Sequence, residues 1–156
     1  MHSRNTLFRS VLFASIALVT FVLVLPRTGL AQEASLYERL GGYAAISAVV
    51  DDFAPKLFYD PVVGARFFGM SDDSREGFRQ KNKNLVCNVT GGPCKIISRP
   101  AAVAHGGMGI KASEFNIVVQ HLVDTLNKFE VPEKEHQELL AIIGTLRPGI
   151  VEVEDG

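Results

Sequence analysis

The sequence has little net charge and few cysteines, and these two shortages narrow the class of protein. Its 156 residues include 16 basic and 17 acidic side chains, whereas a dedicated nucleic-acid-binding protein carries a basic excess. Repeats and low-complexity runs are absent and 47% of the residues are apolar, which is the composition of a globular protein. The length corresponds to about one domain.

Several common catalytic patterns are also missing. The two cysteines, Cys87 and Cys94, have no paired histidines near them, which argues against a zinc site. No Ser/His/Asp order, phosphate-binding loop or pair of catalytic carboxylates stands out, and no hairpin signal suggests a sheet. The histidines are therefore the remaining candidates for chemistry.

The N-terminal 31 residues have the pattern of a secretory signal peptide. Arg4 and Arg9 precede an uncharged apolar run from Val11 to Leu25, and small residues occupy the −3 and −1 positions of a cleavage site after Ala31. The alternative is a membrane anchor, although a spanning helix needs roughly 20 apolar residues. We predict a signal peptide over 1–31 and a folded domain over 32–156 that is periplasmic or extracellular, and membrane-tethered only if the segment is retained.

Loss of this segment would change the charge of the chain. The segment contains three arginines and no acidic residue, so the remaining 125 residues carry 13 basic and 17 acidic side chains and a net charge of −4. The segment also contributes much of the mean hydropathy of +0.16. We predict no nucleic-acid partner for this acidic domain.

The rest of the chain predicts helices separated by glycine and proline. Ser35 and Glu38 have the spacing of a capping box, which starts a short helix over 36–40. A helix over 43–58 should kink or stop at Pro55, because proline has no N–H and crowds the carbonyl four residues earlier. Further helices are predicted over 75–89, over 101–105, from a Ser113 cap to Phe129, and from Pro132 to Pro148. The class is all-α, and the last two helices should pack antiparallel.

The two cysteines lie on either side of a turn. Cys87 is near the end of a predicted helix, and Cys94 follows Gly91-Gly92-Pro93. In an exported protein they could form a disulfide, which would add about 2 kcal/mol of stability. The alternative is two buried thiols.

Of the four histidines, only His105 has an unusual setting. His2 falls within the signal segment, His136 is predicted to face solvent, and His121 is predicted to be a hydrogen-bonded structural residue. His105 ends a short helix and is followed by three glycines among four residues, which let the backbone approach a flat or bulky group. A single neutral imidazole among apolar helices suits one axial bond to haem iron, although a lone histidine is more often structural. No C-x-x-C-H motif indicates covalent attachment.

A set of short motifs, taken in order, resembles the group I truncated haemoglobins over nearly all of residues 35–150. The motifs are Ser35-Leu36-Tyr37-Glu38-Arg39-Leu40-Gly41-Gly42, Val49-Val50-Asp51-Asp52-Phe53, Phe67-Phe68, Gly91-Gly92-Pro93, Ala104-His105-Gly106-Gly107-Met108-Gly109-Ile110 and Val118-Val119-x-His121-Leu122. Each motif is modest alone, and together they are specific.

This resemblance implies a two-over-two α-helical sandwich around a non-covalent b-type haem. His105 matches the proximal histidine, which would bind the iron and leave its other face for O₂, NO or CO. Phe68 matches the phenylalanine that packs on the haem, and Phe78 and Asn82 match distal-helix positions one turn apart. The apolar pocket would be lined by Phe115, Val118 and Ile143.

The chain departs from the family pattern on the distal side. Many members have a tyrosine at the position of Ala54, and its hydroxyl donates a hydrogen bond to bound O₂. Asn82 stands where glutamine is common, so Asn82 and Gln80 become the candidate donors, and Tyr59 lies on a different helical face. We therefore expect faster loss of O₂ than in tyrosine-bearing relatives.

The resemblance leaves three functions open. The first is a haem protein that binds O₂ or NO reversibly outside the cytoplasm. The second is an enzyme, either a nitric oxide dioxygenase that forms nitrate or a peroxidase-like protein. Either enzyme would need an external reductase, since about 125 residues leave no room for a flavin or nicotinamide domain. The third is a helical module that has lost haem.

Overall fold

The computed structural model describes residues 33–155, so the predicted signal segment and His2 lie outside the described residues. Within this described range, six α-helices and two 3-10 helices follow one another. They are α1 (Leu36–Arg39), α2 (Gly42–Phe58), a 3-10 helix (Val63–Phe67), α3 (Asp72–Val89), α4 (Ala101–His105), α5 (Ala112–Lys128), α6 (Glu133–Gly144) and a second 3-10 helix (Arg147–Gly149). Within the described range there is no strand, only an isolated parallel bridge between Lys111 and Val153. No helix of that range is long and apolar enough to cross a membrane.

The capping box at the start of α1 is confirmed. The backbone N–H of Glu38 donates to Ser35 Oγ at 3.3 Å, and the Ser35 N–H donates to the Glu38 carboxylate at 2.8 Å. This exchange satisfies two N–H groups that the first turn of a helix leaves without partners. Arg39 then joins α1 to α6, because its guanidinium donates to Glu135 at 2.9 Å and to Glu138.

Helix boundaries elsewhere differ from the predictions by one turn or less. Helix α3 begins at Asp72 because Ser71 Oγ accepts the N–H of Ser74 at 3.2 Å. The predicted cap of α5 is wrong: Ser113 lies inside the helix, which begins at Ala112 after Lys111. Helix α6 ends at Gly144, short of the predicted Pro148, which instead lies in the second 3-10 helix.

Helix α2 does not stop at Pro55. It continues to Phe58, and the N–H of Tyr59 donates to the Pro55 carbonyl at 3.1 Å. A proline inside a helix costs about 3 kcal/mol. Phe53, Leu57 and Phe58 are only 9%, 2% and 8% exposed. Burial of each such side chain is worth roughly 1.5–3 kcal/mol, so packing around the proline outweighs its cost.

Helix α2 is the central element of the packing. It contacts α1, α3, α5 and the first 3-10 helix, while α6 packs on α1 and α5. The main apolar cluster joins these elements through buried side chains of α1, α2, the first 3-10 helix, α5 and α6. Its buried members are Leu36, Phe53, Leu57, Val63, Leu122, Leu126 and Leu139. Short α4 contacts the second 3-10 helix rather than this cluster.

The structure decides three of the open side-chain questions. Cys87 and Cys94 form a disulfide that ties the end of α3 to the loop before α4. His121 is hydrogen-bonded as predicted, with Nε2 2.7 Å from Asp60 Oδ2. The prediction for His136 is wrong: it is 5% exposed, because its position on α6 turns toward the packed side of the helix.

Candidate functional site

A largely apolar cavity of about 870 Å³ opens between the helices. Side chains of α2, α3, α4, α5 and α6 form its wall, and the volume is in the range of small-molecule and cofactor pockets. Six of the seven predicted site residues line it together. They are His105, Phe78, Asn82, Phe115, Val118 and Ile143.

The imidazole of His105 has a defined hydrogen-bonding state. Its Nδ1 lies 2.9 Å from the carbonyl oxygen of Ala101, one turn earlier in α4. A carbonyl oxygen can only accept, so Nδ1 carries the hydrogen of this bond. In the neutral ring Nε2 therefore keeps its lone pair, which is the arrangement that a metal-binding histidine needs.

The glycine-rich loop after His105 is held through its own backbone. Gly107 and Gly109 have φ values of +79° and +61°, which favour glycine over other residues. Their N–H groups donate to the two carboxylate oxygens of Glu152 at 2.6 and 2.5 Å. These two hydrogen bonds, of which the one from Gly107 has the larger effect, hold the pKa of the Glu152 carboxyl below its usual value. The positive φ values direct the loop amides toward Glu152.

Arg66 contacts the same loop from the cavity side. Its guanidinium donates to the carbonyl oxygens of Met108 at 2.5 Å and Gly109 at 3.3 Å. It also pairs with Glu114 through two bonds of 2.9 and 2.8 Å, and this pairing lowers the pKa of the Glu114 carboxyl. Arg66 thereby connects the first 3-10 helix to the loop after His105 and to the start of α5.

An aromatic cluster closes one side of the cavity, and it contains Phe67 rather than Phe68. Phe58, Phe67 and Phe78 pack edge to face, with ring centroids 5.2–5.5 Å apart. The prediction for Phe68 is wrong: it is 93% exposed and does not line the cavity. Phe68 follows the last residue of the 3-10 helix in an extended conformation, so it points away from the side that Phe67 fills.

Of the two amide side chains expected as donors, Asn82 and Gln80, only Asn82 lies in the cavity wall. Asn82 lines the cavity and donates one Nδ2 hydrogen to the Phe78 carbonyl at 2.9 Å, and its second hydrogen has no partner among residues 33–155. Gln80 is not a cavity donor, since it is exposed and donates to Tyr43 Oη at 2.6 Å. Ala54 is fully buried and does not belong to the cavity wall, so a tyrosine there has no space in the present packing.

Two cations lie on the rim of the cavity. Lys81 and Arg99 line it and are exposed, and neither forms an ion pair within residues 33–155. They can hold acidic groups of a bound molecule whose apolar part lies inside. Ile96 also contributes to the wall, whereas Ile97 is 87% exposed outside it.

Comparison with known proteins identifies the fold and its cofactor. Residues 35–151 match the model of a family described as bacterial-like globin. The chain belongs to this globin family. The group 1 truncated hemoglobin GlbN of Mycolicibacterium paratuberculosis is 32% identical over 133 residues, which cover 85% of this chain and 96% of the relative.

Solved truncated haemoglobins also resemble this globin in structure. That of Tetrahymena pyriformis in the Fe(III) form has a TM-score of 0.69 at 25% identity and covers 76% of this chain and 98% of its own. A 2/2 hemoglobin of Synechococcus, in the cyanomet state and with covalently attached heme, has a TM-score of 0.67 at 30% identity and the same coverage. The predicted two-over-two helical sandwich is confirmed.

This globin therefore binds haem with its iron and, through it, diatomic gases. The residues of the cavity fit that cofactor. The apolar wall suits the flat porphyrin. His105 lines the cavity and, in its neutral form, keeps a lone pair on Nε2 of the kind that iron accepts, and Lys81 and Arg99 suit the acidic groups at the porphyrin edge. Sequence reasoning missed Arg66, Phe67 and Glu152. Among these three residues, only Phe67 has a signal in the local sequence, because it belongs to the Phe67-Phe68 motif.

Proposed function

We propose that this globin binds O₂ or NO reversibly with His105 as the axial ligand to the haem iron. The observation that carries the proposal is the hydrogen bond from His105 Nδ1 to the Ala101 carbonyl at 2.9 Å. It leaves the Nε2 lone pair available to the iron, and it orients the ring before haem enters. When bound, the haem iron supplies the centre at which a diatomic gas is held.

The opposite wall of the cavity sets how strongly a gas is retained. Phe67 and Phe78 exclude water, and the free amide hydrogen of Asn82 is the donor that can reach a bound gas. One neutral hydrogen bond contributes about 0.5–1.5 kcal/mol, which is up to roughly tenfold in affinity. With Ala54 in place of tyrosine, O₂ leaves faster than from relatives that have a tyrosine donor.

We further propose that the protein works outside the cytoplasm. The residue pattern of 1–31 favours export, and the Cys87–Cys94 disulfide suits an oxidising compartment. Sequencing the N-terminus of protein recovered from the periplasm or the medium tests this proposal, which expects Gln32 as the first residue. Recovery of the full-length chain from the cytoplasm with reduced cysteines would contradict it.

The role of His105 is tested by haem titration and absorption spectroscopy. The parent, His105→Ala and His121→Gln are each titrated with haem, because His121 is an imidazole outside the cavity and serves as the matched control. We expect a Soret band in the parent and in His121→Gln. In His105→Ala the band should weaken and shift, and imidazole added to the solution should restore it.

Two results would refute the proposal. A ferrous spectrum of His105→Ala identical to that of the parent, without added imidazole, would exclude His105 as the ligand. Failure of the folded parent to take up haem would exclude the function itself. Titration of the ferrous parent with O₂, CO and NO then establishes which gases it holds.

A further inference from the structure

We propose that residues 147–155, here called the brace segment, hold His105 in its iron-binding position, and that Glu152 is the positioning residue of this segment. The proposal rests on the assignment of His105 as the axial ligand. Glu152 does not touch the haem site directly, and it acts through the loop that follows His105.

Helix α4 needs support from outside itself. It has only five residues, none of them fully buried, and its N-cap Pro100 makes no side-chain capping bond. Isolated helices shorter than about 12 residues are marginal in water, because the first turn fixes several dihedral angles for one hydrogen bond. The orientation of the His105 ring therefore depends on contacts that fix the two ends of α4.

The brace segment supports the first turn of α4 by close packing. A Cβ added to Gly149 would lie 3.1 Å from the backbone nitrogen of Ala102 and 3.3 Å from Cβ of Ala101. The second 3-10 helix therefore packs directly on the residue whose carbonyl accepts from His105 Nδ1. If the second 3-10 helix shifted, Ala101 would shift with it, and so would the carbonyl oxygen that orients the His105 imidazole.

The same segment holds the chain beyond the last turn of α4. Glu152 accepts the N–H groups of Gly107 and Gly109, one on each carboxylate oxygen. The backbone N–H groups of Glu152 and Val153 both donate to the Ile110 carbonyl, at 2.8 and 3.1 Å. Four hydrogen bonds thus join residues 107–110 to two consecutive residues of the brace segment.

Arg66 completes the support from the opposite side. The carboxylate of Glu152 takes amide hydrogens of the loop, whereas the guanidinium of Arg66 donates to the carbonyls of Met108 and Gly109. Because Arg66 is itself fixed by Glu114, the loop is held between two charged side chains of opposite sign. Charge-assisted hydrogen bonds of this kind are about twice as strong as neutral ones.

The proposal is tested first without haem, by amide hydrogen exchange at Gly107 and Gly109. In Glu152→Gln the side chain keeps its length, but one of the two oxygens becomes an NH₂ group that cannot accept, so the amide bonded to that oxygen loses its partner. We expect exchange at one or both glycines to rise by at least roughly tenfold, because a hydrogen bond to a charged group is stronger than a neutral one. Glu76→Gln is the matched control, since the exposed Glu76 accepts two hydrogen bonds from Arg79 in α3, outside the brace segment and the loop.

A second readout separates positioning of His105 from simple stabilisation. The iron–imidazole stretching band of the ferrous haem protein is compared in the parent, Glu152→Gln and Glu76→Gln. We expect the band to shift or broaden only in Glu152→Gln. A lowered urea midpoint with an unchanged band would overturn the positioning role, because a purely structural residue changes the midpoint alone.

The two proposals fail in different ways. Unchanged exchange at both glycines in folded Glu152→Gln, with a normal haem spectrum in the parent, would refute the brace and leave His105 as the ligand. A parent that takes up no haem would refute the proposed function, and with it the assignment on which the brace rests. If Glu152→Gln does not fold, Glu152→Asp replaces it: the shorter carboxylate should lose one glycine amide, and unchanged exchange there would also refute the brace.

Discussion

Reduction of the Cys87–Cys94 disulfide should destabilise this globin by a predictable amount. The two cysteines are seven apart in sequence. Loss of a cross-link of that span increases the conformational entropy of the unfolded chain, which lowers the free energy of unfolding by about 2.4 kcal/mol at 25 °C. For a domain of this size, the same change lowers the melting temperature by about 10 °C. A reduced Cys87 remains a small apolar side chain in its buried place, so the native packing changes little.

The assay is urea unfolding of oxidised and reduced protein, followed by circular dichroism. Cys87 is fully buried, so the protein is reduced in urea and refolded in reductant, and a thiol titration confirms two free thiols. The reduced protein should unfold at lower urea, and with a steeper dependence on urea, because its unfolded state is more expanded. The double variant Cys87→Ala/Cys94→Ala is the control and should not respond to reductant.

An equal urea midpoint for oxidised protein and for protein with two titrated thiols would refute this reasoning. It would mean that the turn at Gly91–Pro93 already restricts the unfolded chain, or that the folded state is strained by the cross-link to the same extent. A change in the double variant on addition of reductant would show instead that the reagent acts elsewhere in the chain.

The remaining predictions concern the cavity and two glycines. Asn82→Leu should speed O₂ dissociation by up to roughly tenfold in stopped-flow measurements, because it removes the amide donor of the cavity wall. An unchanged dissociation rate would exclude Asn82 as the donor to bound O₂. Gly92→Ala should lower the free energy of unfolding by about 1–3 kcal/mol, since the new Cβ would lie 2.5 Å from Tyr37 and 2.7 Å from Cys87 Sγ. In Gly77→Ala, by contrast, the new Cβ in α3 would have no atom within 4 Å, so this variant should raise the free energy of unfolding by about 0.4–1 kcal/mol. Equal urea midpoints for the Gly92→Ala and Gly77→Ala variants would contradict the close packing around Gly92.

Local patterns predicted the helices well, because capping and apolar periodicity depend on neighbours in sequence. The Ser35–Glu38 box and the approximate ranges of α2, α3 and α4 are examples. Continuation of α2 through Pro55 could not be predicted, since it depends on apolar side chains buried by other helices.

Sequence reasoning found cavity residues that carry a local signal, and it missed residues whose contacts join distant parts of the chain. His105 stood out through the glycines that follow it. Glu152 and Arg66 did not, because their partners lie more than 40 residues away and an exposed charge has no local pattern. Sequence reasoning placed Phe68 in the cavity wall where the structure has Phe67. The two residues are adjacent at the end of a 3-10 helix, and periodicity alone does not show which of them faces the cavity.

The brace segment also implies an order of events during biosynthesis. Glu152 is made 45 residues after Gly107, and a chain emerges from the ribosome N-terminus first. Helices α1 to α3 can therefore collapse while α4 still lacks the residues that fasten its ends. If the brace segment orients His105 as proposed, capture of haem by this residue becomes a late step of maturation, after residue 152 has reached the compartment in which the chain folds. A translation product truncated before residue 147 should accumulate with its apolar cavity exposed, as a substrate for chaperones and proteases rather than as a gas carrier.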